Sequence, residues 1–127
     1  MHAPYMALAI YFGQRQAQQN SNAEKTVEEA LAQTDAGEWP YPVFKYLQRQ
    51  ITAQQLIDLA TDNDKQTEAH AYIGLDLSLS GRRDEALEHL RWVRDKGNKD
   101  FVEYPLALAE LARLGDQPRK STDGNER

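Results

Sequence analysis

The chain contains no cysteine, which excludes disulfides, thiolate metal sites and a cysteine nucleophile while leaving the compartment open. Histidine is almost as scarce, with His2, His70 and His89 as its three members. Catalysis needs convergent groups with tuned proton affinities, and little in this sequence is set to converge. The phosphate loop GxxxxGK[ST], the dinucleotide turn GxGxxG and the nucleophile elbow GxSxG do not occur. Glu85 and His89 share a helix face at i, i+4, but two ligands are too few for a metal site; both are expected to be solvated. His70 is expected to be partly buried with an ordinary hydrogen bond, and His2 to lie on a mobile terminus. The expectation is a chain without enzymatic activity, cofactor or metal.

Positive charge is also in deficit: 15 Lys and Arg stand against 20 Asp and Glu, a net charge of −5. Nonspecific nucleic-acid binding draws its affinity from clustered cations neutralising phosphates, so no nucleic-acid partner is expected. One local run, Arg82, Arg83, Arg91, Arg94, Lys96 and Lys99, is interleaved with Asp84, Glu85, Glu88 and Asp95, the pattern of a solvated helix face. Long hydrophobic runs are missing too. The apolar stretch from Tyr5 to Phe12 lacks a basic leader and is too short to cross a bilayer. A soluble chain without membrane insertion, signal peptide or lipobox is expected, its compartment unspecified. At 127 residues the chain has the size of one domain able to bury its own core.

What is present is helical periodicity. From Thr67 to Asp100 the spacing matches one tetratricopeptide unit, about 34 residues of helix, turn and helix. Ile73, Gly74 and Leu77 take the L, G and Y places of its first helix, Gly81 sits at the turn, and Ala86, Leu90 and Val93 follow at second-helix spacings. Gly74 removes a side chain where the paired helix comes close, Gly81 permits the backbone to leave a helix, and Ala86 is expected to face Gly74. His70 stands where that pattern has Trp, and Asn98 where it has Pro.

Outside this unit, Ala3 to Gln18 reads as a helix with Tyr5, Leu8, Ala9 and Phe12 on one side. Asn20, Ser21 and Asn22 supply a turn and an N-cap for a partner helix from Ala23 to Thr34, with Gly37 as the C-cap. Pro40 and Pro42 fit a helix start, giving a short helix from about Tyr41 to Gln50, and Thr52 with Gln55 forms a capping box opening a second one through Ala60. The repeat helices run from about Lys65 to Ser80 and from about Arg83 to Lys96. Asp100 and Glu103 flank the start of a last helix, with Pro105 in its first turn, and Gly115 falls 34 residues after Gly81.

The fold expected is all-α: a tetratricopeptide-like array of antiparallel helical hairpins, about seven helices in all. It forms a single domain over residues 1–115, made of a degenerate hairpin (1–36), a short hairpin (38–62), the best repeat (64–100) and a closing helix (101–115). Residues 116–127, polar throughout, are expected to be a disordered tail.

Trp39 with Val43, Ala60-Thr61-Asp62-Asn63, Tyr72-Ile73-Gly74, and Phe101-Val102-Glu103 leading into an apolar helix that ends Leu114-Gly115 carry a further likeness. The run from Trp39 to Gly115 resembles the C-terminal half of bacterial tetratricopeptide-repeat proteins of the NlpI lipoprotein type. The resemblance implies a non-catalytic adaptor holding other proteins together, in that family envelope proteases and peptidoglycan-processing enzymes. The family's lipobox Cys, signal sequence and earlier repeats have no counterpart here, so its anchoring and location do not carry over; an excised piece and a stand-alone relative are both expected forms.

Stacked hairpins form a curved array whose first helices line a concave surface, so the expected partner is a protein or peptide, with self-association as a further possibility. Glu68, Tyr72, Leu75, Asp76 and Leu79 are the outward positions of the repeat's first helix. Tyr72, Leu75 and Leu79 either pack on the preceding short hairpin or form a groove for a partner's peptide or helix. Asp76, read as a carboxylate among apolar neighbours, would select a basic group on that partner. Among Trp39, Tyr41, Phe44 and Tyr46, Tyr41 and Tyr46 are expected to be the exposed pair and to join the contact surface. Two other readings remain: the terminal cap of a longer repeat protein, and a subunit with a small-molecule pocket near Trp39.

Overall fold

The computed structural model describes residues 3–116, and these form seven helices without strands: α1 (Ala3–Gln16), α2 (Asn20–Gln33), α3 (Tyr41–Leu47), α4 (Ala53–Leu59), α5 (Asn63–Leu79), α6 (Arg83–Lys96) and α7 (Glu103–Arg113). Neighbouring helices pack in pairs, α1 on α2, α3 on α4 and α5 on α6, and α7 closes against both members of the last pair. The all-helical array expected from the periodicity is therefore present. No helix among the described residues is long and apolar enough to cross a membrane. The expected mobility of His2 and the expected tail over residues 117–127 lie outside the described residues.

Capping decides the boundaries. Thr52 and Gln55 form both halves of the capping box, Gln55 N–H donating to Thr52 Oγ1 at 3.1 Å and Thr52 N–H to Gln55 Oε1 at 2.8 Å. Asp62 accepts from Lys65 N–H at 2.8 Å, so α5 starts at Asn63, earlier than Lys65. The Asn20-Ser21-Asn22 run is not a turn: it is the first turn of α2, and Gln19 precedes it without a side-chain cap. Gly37 does not cap α2 either, because that helix ends at Gln33 with Thr34 in extended backbone.

The first helices of the pairs end alike. Gln18 (φ 62°), Arg49 (φ 65°), Gly81 (φ 79°) and Gly115 (φ 87°) are left-handed, and after each the next N–H reaches back five residues: Gln19 to Gln14, Gln50 to Lys45, Arg82 to Leu77 and Asp116 to Leu111, all at 2.8–2.9 Å. This is the Schellman closure of a helix. The four residues lie 31, 32 and 34 positions apart, so one repeat phase runs from α1 through α3 and α5 to α7. It also explains why α1 and α3 stop at Gln16 and Leu47, short of the expected Gln18 and Gln50: a left-handed residue cannot continue the helix.

α5 is the centre, packed against α1, α3, α4, α6 and α7. Its closest approach is at Gly74, where an added Cβ would lie 2.6 Å from Leu90 Cδ2 and 3.4 Å from the Leu90 backbone nitrogen. Leu90, not Ala86, is thus the residue opposite Gly74, and it is fully buried. Replacing Gly74 with alanine adds up to about 1 kcal/mol of helix propensity but forces a methyl into a filled interface at about 1–3 kcal/mol. The expected net result is a loss on the order of 1 kcal/mol, read as a lowered denaturant midpoint, with the loss shrinking in a Leu90→Val background; an unchanged midpoint would show the interface to be slack.

The arginine turns, expected to be merely solvated, fasten α7. Arg83 donates to the Leu114 carbonyl at 3.1 and 2.8 Å, satisfying the end of that helix. Arg91 holds Asp116 through two hydrogen bonds of 3.0 and 2.7 Å, with Arg94 at 3.5 Å. Asp116, expected in the tail, therefore belongs to the ordered domain.

Candidate functional site

Along α5 the polar side chains expected on an open face are turned into a buried spine. Asp76, 1 % exposed, accepts from Arg15 at 2.5 Å, from both ends of the Arg49 guanidinium at 2.8 and 2.9 Å, and from the Tyr46 hydroxyl at 2.6 Å. Burial alone raises its carboxyl, but the hydrogen bonds from Arg49, Tyr46 and Arg15 outweigh that and hold it below the ordinary aspartate value. The basic groups it was expected to select on a partner are supplied by α1 and the end of α3. Arg49 reaches it from its left-handed position, a conformation costing on the order of 1 kcal/mol for a non-glycine residue.

Glu68 is closed off as well. Its Oε1 accepts from the Tyr5 hydroxyl at 2.7 Å and from the Trp39 indole N–H at 2.8 Å; burial raises its carboxyl despite those two donors. Tyr72 is buried, stacks on Phe12 of α1 with ring centroids 5.7 Å apart, and donates to Glu103 of α7 at 2.5 Å. It thereby joins the first and last helices. Ser78 donates to Glu110 of α7, which Arg113 also holds. In the repeat phase, Tyr46 and Ser78 each stand three residues before a left-handed cap, and Asp76 and Glu110 each stand five before the next. The two hydroxyl-to-carboxylate contacts are thus one contact used twice.

Leu75 and Leu79 are different. They are half-buried and form the floor of a cleft of about 320 Å³ whose walls are α1 and α7: Ala9 and Phe12 on one side, Val102, Leu106 and Ala109 on the other. Val102 and Leu106 are 57 and 43 % exposed. The walls carry no free charge. From Ala3 to Gln14, α1 has no charged residue, and on α7 Glu103 and Glu110 are buried in hydrogen bonds. Leu75, Leu79 and the buried Tyr72 thus line a cleft, whereas Glu68 and Asp76 are closed off in hydrogen bonds and do not line it. Tyr46 is buried at 5 %, correcting its expected exposure; Tyr41 is half-buried on α3, outside this cleft.

His70, expected to make an ordinary hydrogen bond, touches His89, expected to be solvated. His70 Nδ1 and His89 Nδ1 are 2.9 Å apart, and His70 stacks on Trp92 with centroids 4.4 Å apart. Gln66 donates both amide protons, to the Ile57 and Ala60 carbonyls, so its Oε1 accepts from His70 Nε2–H at 3.1 Å. That assigns His70 Nδ1 as an acceptor and His89 Nδ1–H as its donor, leaving the far nitrogen of His89 as the pair's open acceptor. His89 is half-buried, not solvated with Glu85, which pairs instead with Arg82 at 2.5 Å. No group of three or more His, Asp and Glu among the described residues is arranged to hold a metal.

Two more clefts, each about 520 Å³ and of mixed polar and apolar lining, flank Arg49: one lies between α1, α2 and the end of α3, the other is lined by Thr52, Gln55, Arg82 and His89. Neither these nor the apolar cleft is lined by Trp39, whose indole is committed to Glu68. Comparison of the chain with protein families, with curated proteins and with solved structures found no match in any of the three.

Proposed function

We propose that the chain is a non-catalytic protein-interaction module whose cleft between α1 and α7 receives the apolar face of a partner's amphipathic helix. The observation that carries this reading is the apolar trough over Leu75 and Leu79, open to solvent through Val102 and Leu106, whose lining carboxylate, Glu110, is already held by Ser78 and Arg113. Helix-in-groove recognition uses apolar anchors at i, i+3, i+4 and i+7, and a trough between two helices matches that geometry. An adaptor role is what the resemblance of Trp39 to Gly115 to NlpI-type tetratricopeptide proteins implies, and the cleft supplies its physical means. The buried spine beneath holds the walls in place, so affinity is not lost to ordering the receptor.

The test uses fluorescently labelled synthetic helices carrying leucine at those four spacings, titrated with the protein and read by anisotropy. Leu75→Ser with Leu79→Ser is expected to weaken binding at least about tenfold, the magnitude of losing one or two buried anchors, while the far-ultraviolet dichroism stays helical. Equal binding by wild type and variant, or none by either, would remove the reading.

A further inference from the structure

Four of the five large hydrophobic side chains exposed among the described residues belong to the two elements that wall the cleft: Met6 and Ile10, each 50 % exposed, on α1, and Val102 and Leu106 at the N-cap and in the first turn of α7. They fall into two shapes. Val102 and Leu106 line the cleft; Met6 and Ile10, one helical turn apart, lie outside it on the outer side of α1. Between them and the cleft run Ala9 and Gly13, both exposed, and no atom lies within 4 Å of where a Gly13 Cβ would stand. The molecule thus carries a recess and, on the adjoining ridge, an apolar projection backed by small residues.

We infer that the occupant of this cleft in the isolated protein is a second copy of the chain, each copy seating Met6 and Ile10 of α1 in the other's recess. The inference rests on the docking reading above and names a partner for that site. Charge selects this occupant. The recess offers no counter-charge, since its carboxylates are already paired, so a charged side chain entering it would be desolvated without compensation. Exposed surface free of charge is scarce on a chain in which 28 % of residues are charged. α1 supplies it: Arg15 is its one charged residue and is turned inward to Asp76. The net charge of −5 opposes association in general, but the carboxylate that lines the recess, Glu110, is paired with Arg113. Because ridge and recess share one helix, a two-fold axis brings both contacts together at once, as an isologous interface requires.

Sedimentation equilibrium tests this at concentrations on the order of 100 µM, a range that detects dimers with micromolar dissociation constants. The wild-type chain is expected to be dimeric; Ile10→Glu, on the ridge, and Leu106→Glu, in the recess, are each expected to be monomeric with unchanged helical dichroism. A wild-type monomer, or a dimer that survives both substitutions, overturns the inference. The two proposals separate on the Ile10→Glu variant, whose cleft lining is intact: if it binds the leucine-bearing helix probe while the wild type is monomeric, the docking reading stands and the dimer falls. If the wild type is a dimer and that variant ignores the probe, the cleft is a self-association surface alone.

Discussion

Asp76→Ala is expected to destabilise the fold by about 3–5 kcal/mol, the cost of breaking a buried ion pair by removing one partner. The loss comes mainly from Arg15. Its side chain is 13 % exposed, whereas that of Arg49 is 56 % exposed, so Arg49 can turn to water and Arg15 cannot. With Asp76 gone, the Arg15 guanidinium keeps the Tyr11 hydroxyl at 3.0 Å and the Ser80 hydroxyl at 3.1 Å, neither of which offsets its charge. The Tyr46 hydroxyl also loses its acceptor. Denaturant unfolding measures the effect, and two further variants locate it. Arg49→Ala is expected to cost at most about 1 kcal/mol, in keeping with a partly exposed pair, and the double variant Arg15→Met with Asp76→Leu to recover much of the loss, because a well-packed apolar pair often equals a buried ionic one. An Asp76→Ala cost below about 1 kcal/mol would mean that Arg15 finds water in the folded state.

The second large effect is acid destabilisation through the histidine pair. Burial, and next the neighbouring His89, push His70 down to about 4, and burial lowers His89 against the opposing pull of Glu88 and Glu85. Both rings are therefore neutral in the folded protein where the unfolded chain, titrating near 6.5, begins to take up protons. Stability from this source is complete above pH 6.5 and is lost as pH falls toward 4. Each histidine contributes about 1.4 kcal/mol per pH unit within its window, so His70 alone accounts for about 3 kcal/mol by pH 4. Asp76, held below its ordinary value, loses its contribution only at lower pH; Glu68, raised by burial, titrates with the opposite sign and partly offsets the loss. Unfolding curves between pH 7 and 4 are expected to show this slope, and His70→Phe, which keeps the packing on Trp92, to flatten it. A resonance of His70 that titrated near 6.5 in the folded protein would refute the assignment.

The fold was legible where local chemistry decides it. The Thr52–Gln55 box, the glycines at 81 and 115 and the apolar spacing of α6 each act within a few residues, and α6 runs from Arg83 to Lys96 as read. The partial exposure of Leu75 and Leu79 was legible and the burial of Glu68, Tyr46 and Asp76 was not, because the groups that close those side chains come from afar: Arg15 lies 61 residues from Asp76, and Tyr5 lies 63 from Glu68. One signal was present and missed. Leu8, Tyr11 and Arg15 fall at i, i+3 and i+7, which puts the one charge of α1 on its buried face and calls for a buried carboxylate elsewhere. The repeat phase of the first two pairs was hidden for another reason: Gln18 and Arg49 occupy positions where glycine would have marked it.

The seven residues of α3, half the length of α1, have a consequence for the shape of the cleft. α3 meets α5 at Tyr46 and Asp76, and α1 meets α5 directly, through Tyr5 to Glu68, Phe12 to Tyr72 and Arg15 to Asp76. A full-length α3 would interpose a helix there and move α1 outward by about 8–10 Å, one interaxial spacing. The aperture between α1 and α7 is therefore gauged by a segment that does not line it. Extending α3 by whole turns would widen the mouth while leaving every lining side chain as it is, so aperture and surface chemistry are separate dials in this chain.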